Sequence, residues 1–222
     1  MSVLLGIASS VAAVAYLAHF PAPTSSFMQQ RRAEARQQGR DDFALRYRWV
    51  DMDGISPVVG LAVLSSEDQR FASHHGFDTH AIRHAVADHL KGKPLRGAST
   101  LSQQVAKNLF LWPGKSLLRK GVEAYFTVLI EALWDKRRIL EVYVNIAELG
   151  DGVFGVGAAS QHFFDRPAAK LTTRQAALLA AVLPNPHIYR VDKPSPRVRD
   201  KQRWILQQMH YHRSVGTLAQ LR

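Results

Sequence analysis

The chain has 222 residues, 29 Lys and Arg against 18 Asp and Glu, a net charge of +11 and no cysteine. That length supports one folded domain with a good core, and the missing thiols exclude disulfides, cysteine-ligated zinc and a thiol nucleophile. The positive excess points to an anionic partner: nucleic acid, an anionic membrane surface or a phosphorylated substrate.

Residues 3–20 contain no Asp, Glu, Lys or Arg. A helix of that length reaches about 27 Å, enough for a bilayer core. A cleavable signal peptide is the rival, since small residues such as Ala13 and Ala18 abound. A basic leader is missing, however, and no small-x-small site precedes a mature start. The sequence therefore predicts one transmembrane helix, with residues 1–23 as anchor and short linker. The first cations, Arg31, Arg32 and Arg36, follow the span. The positive-inside rule puts that side in the cytoplasm, which conflicts with the function reached below. Residues 24–55 read as a basic juxtamembrane segment, its Arg side chains either against lipid headgroups at roughly 1 kcal/mol each or simply solvated.

The folded domain spans residues 56–222. Ser56-Pro57 is an N-cap followed by Pro at the first helical position. The apolar helix after it, with Val58, Leu61, Ala62 and Ser65 on one face, ends at Glu67-Asp68. A carboxylate there can face a cleft yet be partly withdrawn from water, which suits proton transfer; ordinary solvated charges at a helix end are the alternative. Asp78 caps a second helix with Ile82, Val86 and Leu90 inward, closing at Gly92. His80 and His84 lie one turn apart on it. The intervening Ala-Ile-Arg lacks the Glu of a zincin motif, so solvated histidines are the better reading.

Thr100 and Gln103 form a capping box. The helix after it buries Leu101, Val105 and Leu109 and carries a polar stripe of Thr100, Gln104 and Lys107. With hydroxyl, amide and one ammonium, that stripe offers donors to sugar or phosphate oxygens, reinforced by the helix N-terminus. A long helix over 116–134 is expected to turn Leu118, Val122, Tyr125, Leu129 and Leu133 to the core. Its other flank gathers Arg119, Lys120 and Glu123, either a diphosphate clamp holding a carboxylate or a surface ion pair. Residues 136–149 predict a helix with Ile139, Val142, Tyr143 and Ile146 inward and Glu141, Asn145 and Glu148 opposite. The glycine-rich 150–157 lacks a Walker lysine and reads as a mobile loop over a cleft. Thr172 and Gln175 open another capped helix, which Pro184-Asn185-Pro186 ends. Residues 196–209 form a basic helix anchored by Trp204, Ile205 and Met209. No alternating β pattern of any length is visible, so the fold is mainly α.

Five blocks together resemble the peptidoglycan glycosyltransferases of glycosyltransferase family 51. They are Glu67-Asp68-Gln69-Arg70-Phe71-Ala72-Ser73-His74-His75-Gly76; Gly97-Ala98-Ser99-Thr100-Leu101-Ser102-Gln103-Gln104-Val105-Ala106-Lys107-Asn108; Arg119-Lys120-Gly121-Val122-Glu123; Lys136-Arg137-Arg138-Ile139-Leu140-Glu141-Val142-Tyr143-Val144-Asn145; and residues 171–186. They stand in the family's order, over about residues 24–209. Ala98 and Ser102 replace a commoner Gly and Thr, and Asp165-Arg166 stands where Gly-Lys is frequent. None of these touches the expected chemistry.

The resemblance implies a lysozyme-like helical lobe with a smaller membrane-associated jaw. It implies lipid II and the growing glycan strand as substrates, β-1,4 linkage with inversion, and release of undecaprenyl diphosphate. Glu67 would be the general base and Glu123 the second catalytic carboxylate, beside Lys107, Arg119 and Lys120 at the donor diphosphate. Asp68, Phe71, His74, Thr100 and Gln104 complete the substrate-binding set. A divalent cation, Mg or Mn, could assist, and no organic cofactor is expected. The cytoplasmic (inner) membrane, with the domain on its periplasmic side, and other cell-wall synthesis or division proteins are the implied partners; nucleic acid is not. No Ser-x-x-Lys or Lys-Thr-Gly element marks a transpeptidase. Two rivals stay open: a lytic glycan hydrolase, which does not need the Lys107, Arg119 and Lys120 cluster, and a non-catalytic glycan-binding module, which does not need Glu67.

Overall fold

The computed structural model describes residues 2–92, 99–114 and 116–221; Gly97 and Ala98 of the second block lie outside them. Most helix starts follow from capping side chains. Asp78 Oδ1 accepts from Ala81 N at 2.9 Å, and both expected capping boxes are formed, Thr100 with Gln103 and Thr172 with Gln175. Ser116, Asp135 and Ser195 cap three more helices. Each supplies an acceptor to amides that have no partner inside the helix.

The helices in chain order are α1 (Ser2–Leu17), α2 (Ser26–Gln37), α3 (Pro57–Glu67), α4 (Thr79–Leu90), α5 (Leu101–Phe110), α6 (Leu117–Leu133), α7 (Lys136–Ile146), α8 (Gly155–Phe164), α9 (Thr173–Val182) and α10 (Pro196–Ser214). Three short strands, β1 (Arg46–Tyr47), β2 (Glu148–Gly150) and β3 (Val153–Phe154), pair in the order β1-β3-β2. The main lobe is built on α3, which packs against α7, α9 and α10. Residues 59–65 of α3 are buried on every side, so the helix delivers Glu67 from the centre of the core. Helix α5 is the seam, with α7 on one side and α6 and α2 on others.

The structure corrects several sequence readings. The apolar stripes of α4 and α6 face outward. Leu118 is 73% exposed, Val128 56% and Leu90 81%, with Ile82, Val86, Tyr125 and Leu133 also exposed. The buried residues of α6 are Glu123, Thr127 and Ile130. Helix α7 ends at Ile146, and Glu148 belongs to β2. Asn145 is fully buried, donating to Val50 O at 2.8 Å and accepting from Val50 N at 2.9 Å.

The glycine-rich stretch is a buried β2–β3 hairpin leading into α8. At Gly155, φ is +77° and a Cβ would clash with the Asn145 carbonyl oxygen, so the turn admits only glycine. Ile205 and Met209 anchor α10 as expected, whereas Trp204 is exposed. Arg31 turns away from any headgroup role, pairing with Glu34 at 2.5 Å, Asp151 at 2.7 Å and Glu148 at 3.3 Å. No helix among the described residues is long and apolar enough to cross a membrane. Helix α1 lies along α6, with Trp134 Nε1 donating to Val14 O at 2.8 Å and Arg138 Nε to Leu17 O at 3.0 Å.

Candidate active site

Glu67 is the last residue of α3 and half-buried at the wall of a pocket of about 360 Å³. Asp68, Arg70, Asp78, His80, His84 and Thr100 share that wall. Two donors fix the Glu67 carboxylate: Ser66 Oγ to Oε1 at 2.8 Å and Gln104 Nε2 to Oε2 at 3.2 Å. The Gln104 amide is oriented in turn, because the Tyr143 hydroxyl donates to its Oε1 at 3.0 Å. Burial, reinforced by the charges of Glu67 and Asp68, pushes the Tyr143 phenol well above its usual range and keeps it a donor. A relay thus runs from the core of α7 through α5 to the end of α3.

Asp68, adjacent in sequence, does a different task. It is buried, takes both carboxylate oxygens to within 3.0 Å of His74 Nε2 and accepts from Leu101 N at 3.0 Å. That last bond satisfies an open amide at the start of α5 and locks α5 to the end of α3. Thr100 is likewise buried and donates to Gly76 O at 2.6 Å. Phe71 is fully buried under the Lys136 ammonium, 4.5 Å above its ring. Asp68 and Thr100 therefore line the wall as buried, bonded groups with Phe71 and His74 behind them, while Glu67 is half-buried at the wall and held by Gln104.

The second carboxylate, Glu123, is 3% exposed. Lys120 Nζ lies 2.5 Å and Arg119 Nη1 3.8 Å from it. The Arg119 Nε is buried with no hydrogen-bond partner, a donor ready for an anionic oxygen. Lys107 joins the two carboxylates: burial lowers its pKa below the usual 10.5, Arg119 and Lys120 push the same way, and Glu123 and Glu67 oppose them. Gln104 thus contacts Glu67, Arg119 and Lys120 flank Glu123, and the charges of both carboxylates act on Lys107 from α5.

Sequence reasoning missed three contributors. Tyr143 looked like core alone, since nothing in its pattern marks its hydroxyl. Ser66 carried a signal only in adjacency to Glu67. Lys201 on α10 lies 4.2 Å over the Trp204 ring, and Glu67 offsets the lowering of its pKa by burial; only tertiary packing brings α10 beside α3.

Among the described residues, one trio places ligand atoms within 4.8 Å of one another, Glu148, Asp151 and His187. Arg31 already bridges Glu148 and Asp151 there. Glu123 is likewise neutralised by Lys120.

The transglycosylase family profile matches residues 32–210. The chain is 52% identical over 210 residues, 95% of its length and 87% of the relative's, to the biosynthetic peptidoglycan transglycosylase of Cronobacter sakazakii. It is 55% identical over 190 residues to that of Haemophilus influenzae, covering 85% of this chain and 77% of the relative. For that of Escherichia coli O127:H6 the figures are 54% over 191 residues, 86% and 79%.

Proposed function

Since this chain belongs to the transglycosylase family and is a peptidoglycan glycosyltransferase, we propose that it polymerises lipid II by a single inverting displacement with Glu67 as general base. Glu67 takes the proton from the 4-hydroxyl of the acceptor sugar. The oxygen attacks the anomeric carbon of the growing strand, the bond from that carbon to the diphosphate oxygen breaks, and undecaprenyl diphosphate leaves with the electron pair. An α-linked donor gives a β-1,4 product in one step, so neither carboxylate acts as a covalent nucleophile.

The observation that carries this reading is the pairing of a donor-fixed Glu67 with a cationic cluster at Glu123. A glycan hydrolase expels a sugar and gains nothing from Lys107, Arg119 and Lys120. Those three cations can meet the charge that develops on a departing diphosphate. Glu123 keeps the cations gathered before substrate arrives, and the Arg119 Nε without a partner supplies a further donor. A divalent cation, where one assists, would arrive with the substrate diphosphate.

The same reading places the apolar outer faces of α1, α4 and α6 in the outer leaflet of the cytoplasmic membrane, with residues 1–23 as anchor and the domain on the periplasmic side. Leu4, Leu5, Ile7, Leu117 and Leu118 form exposed apolar surface on α1 and α6, one packed on the other. Exposure of that kind marks a membrane or partner interface, and a lipid-linked substrate calls for the first.

Purified enzyme given lipid II in detergent is expected to make glycan polymer, and Glu67→Gln to lower the rate by about 10²–10⁴, the usual worth of a general base, with lipid II binding largely retained. Activity of the variant within about threefold of wild type would remove Glu67 from that role.

A further inference from the structure

His80 and His84 open α4, one turn apart, and both line the pocket that Glu67 walls. Their Nε2 atoms are 3.2 Å from each other. The ring centroids are only 4.4 Å apart, with the planes tilted by 58°. Two imidazoles sharing a linear N–H···N bond lie end to end, which would put the centroids a full pair of ring radii beyond the nitrogen separation. Here the rings fold back toward each other, so the 3.2 Å contact is a bent imidazole–imidazole hydrogen bond that sets the two nitrogens side by side at the pocket.

We propose that His80 and His84 form a two-imidazole clamp for a first-row transition dication, Zn²⁺, Ni²⁺ or Cu²⁺, at the mouth of the pocket walled by Glu67. At Zn–N distances of about 2.0–2.1 Å, two nitrogens on a tetrahedral metal lie roughly 3.3 Å apart, close to the separation in the structure. Imidazole nitrogen favours these metals over Mg²⁺ or Ca²⁺, which prefer oxygen cages. Both side chains are exposed, so they give up little to reach the metal. Helical i,i+4 spacing holds them in register before it arrives. The surroundings are favourable in sign: Glu67, Asp68 and Asp78 line the same pocket, against Arg70, which is 3.7 Å from Asp78. The trio at Glu148, Asp151 and His187 is a poorer host because Arg31 sits within it.

A metal held there keeps open positions toward the pocket and occupies the space by which an acceptor would approach Glu67. Its occupancy therefore slows polymerisation, a consequence that rests on the function proposed above, whereas binding itself does not. Zn²⁺ titrated calorimetrically into the tag-free full chain in detergent tests the site. His80→Ala and His84→Ala should each weaken binding by at least about tenfold, since losing a ligand costs no less than the 10–100-fold typical of an outer partner. His187→Ala should leave it in place. Cu²⁺ loaded on the wild type should show two-nitrogen hyperfine structure in electron paramagnetic resonance. Zn²⁺ binding equally tight in the His80→Ala/His84→Ala variant, lost with His187, or absent from the wild type would overturn the clamp. In the polymerisation assay Zn²⁺ should slow the wild type but not the double variant, each compared with itself metal-free; equal slowing of both would trace the effect to the lipid diphosphate and end the claim that the clamp reaches the site.

Discussion

Helices α7 and α6 are neighbours in sequence and read alike, each with an apolar stripe and a polar flank, yet they use those faces in opposite ways. Helix α7 buries Ile139, Leu140, Val142, Tyr143 and Ile146. Helix α6 buries Glu123 and Thr127 and turns Leu118, Tyr125, Val128 and Leu133 outward. In water alone the second arrangement is unfavourable, because apolar area is left exposed at about 25 cal/mol per Å² while a carboxylate is desolvated. It becomes reasonable when the outer medium is lipid and the inner medium is an ionic cleft. On the function proposed above, one surface holds the fold and the other meets the bilayer.

The sharpest way to break this contrast is to truncate one leucine on each side. Leu140→Ala, in the fully buried core, should cost about 2–5 kcal/mol in denaturant unfolding. A loss below 1 kcal/mol would mean that the lobe is not the stable half. Next in size is the buried pairing at the seam. Glu131 accepts from Ser102 Oγ and pairs with Lys136 at 2.8 Å, so Glu131→Ala leaves Lys136 buried without its partner. Destabilisation of about 3–5 kcal/mol is the upper expectation for a fully buried pair, and less here because both groups retain some contact with solvent.

The cleft itself can be tested by pH. Burial lowers the Lys107 pKa below 10.5, so its charge is lost at lower pH than that of an ordinary lysine. The donor-dependent kcat/KM should therefore fall on the alkaline side below pH 10.5, and Lys107→Arg should remove that limb, since arginine stays charged. Stability responds with the opposite sign. A lysine whose folded pKa lies below its unfolded value binds fewer protons when folded, so this group's contribution improves as pH rises between the two. An alkaline limb unchanged in Lys107→Arg would assign it to another group.

The smallest expected effect is on the outer face. Leu118→Ala should change stability in detergent by no more than about 0.5 kcal/mol, as exposed substitutions do. Binding to anionic vesicles should weaken, measurably so when Leu117 and Val128 are truncated with it. Unchanged vesicle binding by the triple variant would leave the outward stripe of α6 without its medium.

Much of this protein was determined by local sequence. Asp78, Thr100 with Gln103, and Thr172 with Gln175 fixed where helices begin, because capping is settled within four residues, and Pro57 opens α3 with no side-chain cap bond from Ser56. The order of the five blocks pointed to the family, and through that resemblance Glu67, Gln104, Lys107, Arg119, Lys120 and Glu123 were expected at the site. Periodicity could not say which side of α4 or α6 faces the core, since an amphipathic helix has the same pattern toward lipid as toward protein. Nor could it show that Asp68 faces inward to cap α5 while Glu67, one residue earlier, faces the pocket. The hairpin at 148–154 was hidden because its strands are three and two residues long, the second held by pairing with a segment about a hundred residues earlier in the chain. Tyr143, Ser66 and Lys201 entered the site only through tertiary packing: a hydroxyl or ammonium acts on Glu67 when α3, α5, α7 and α10 meet, and no local pattern records that meeting.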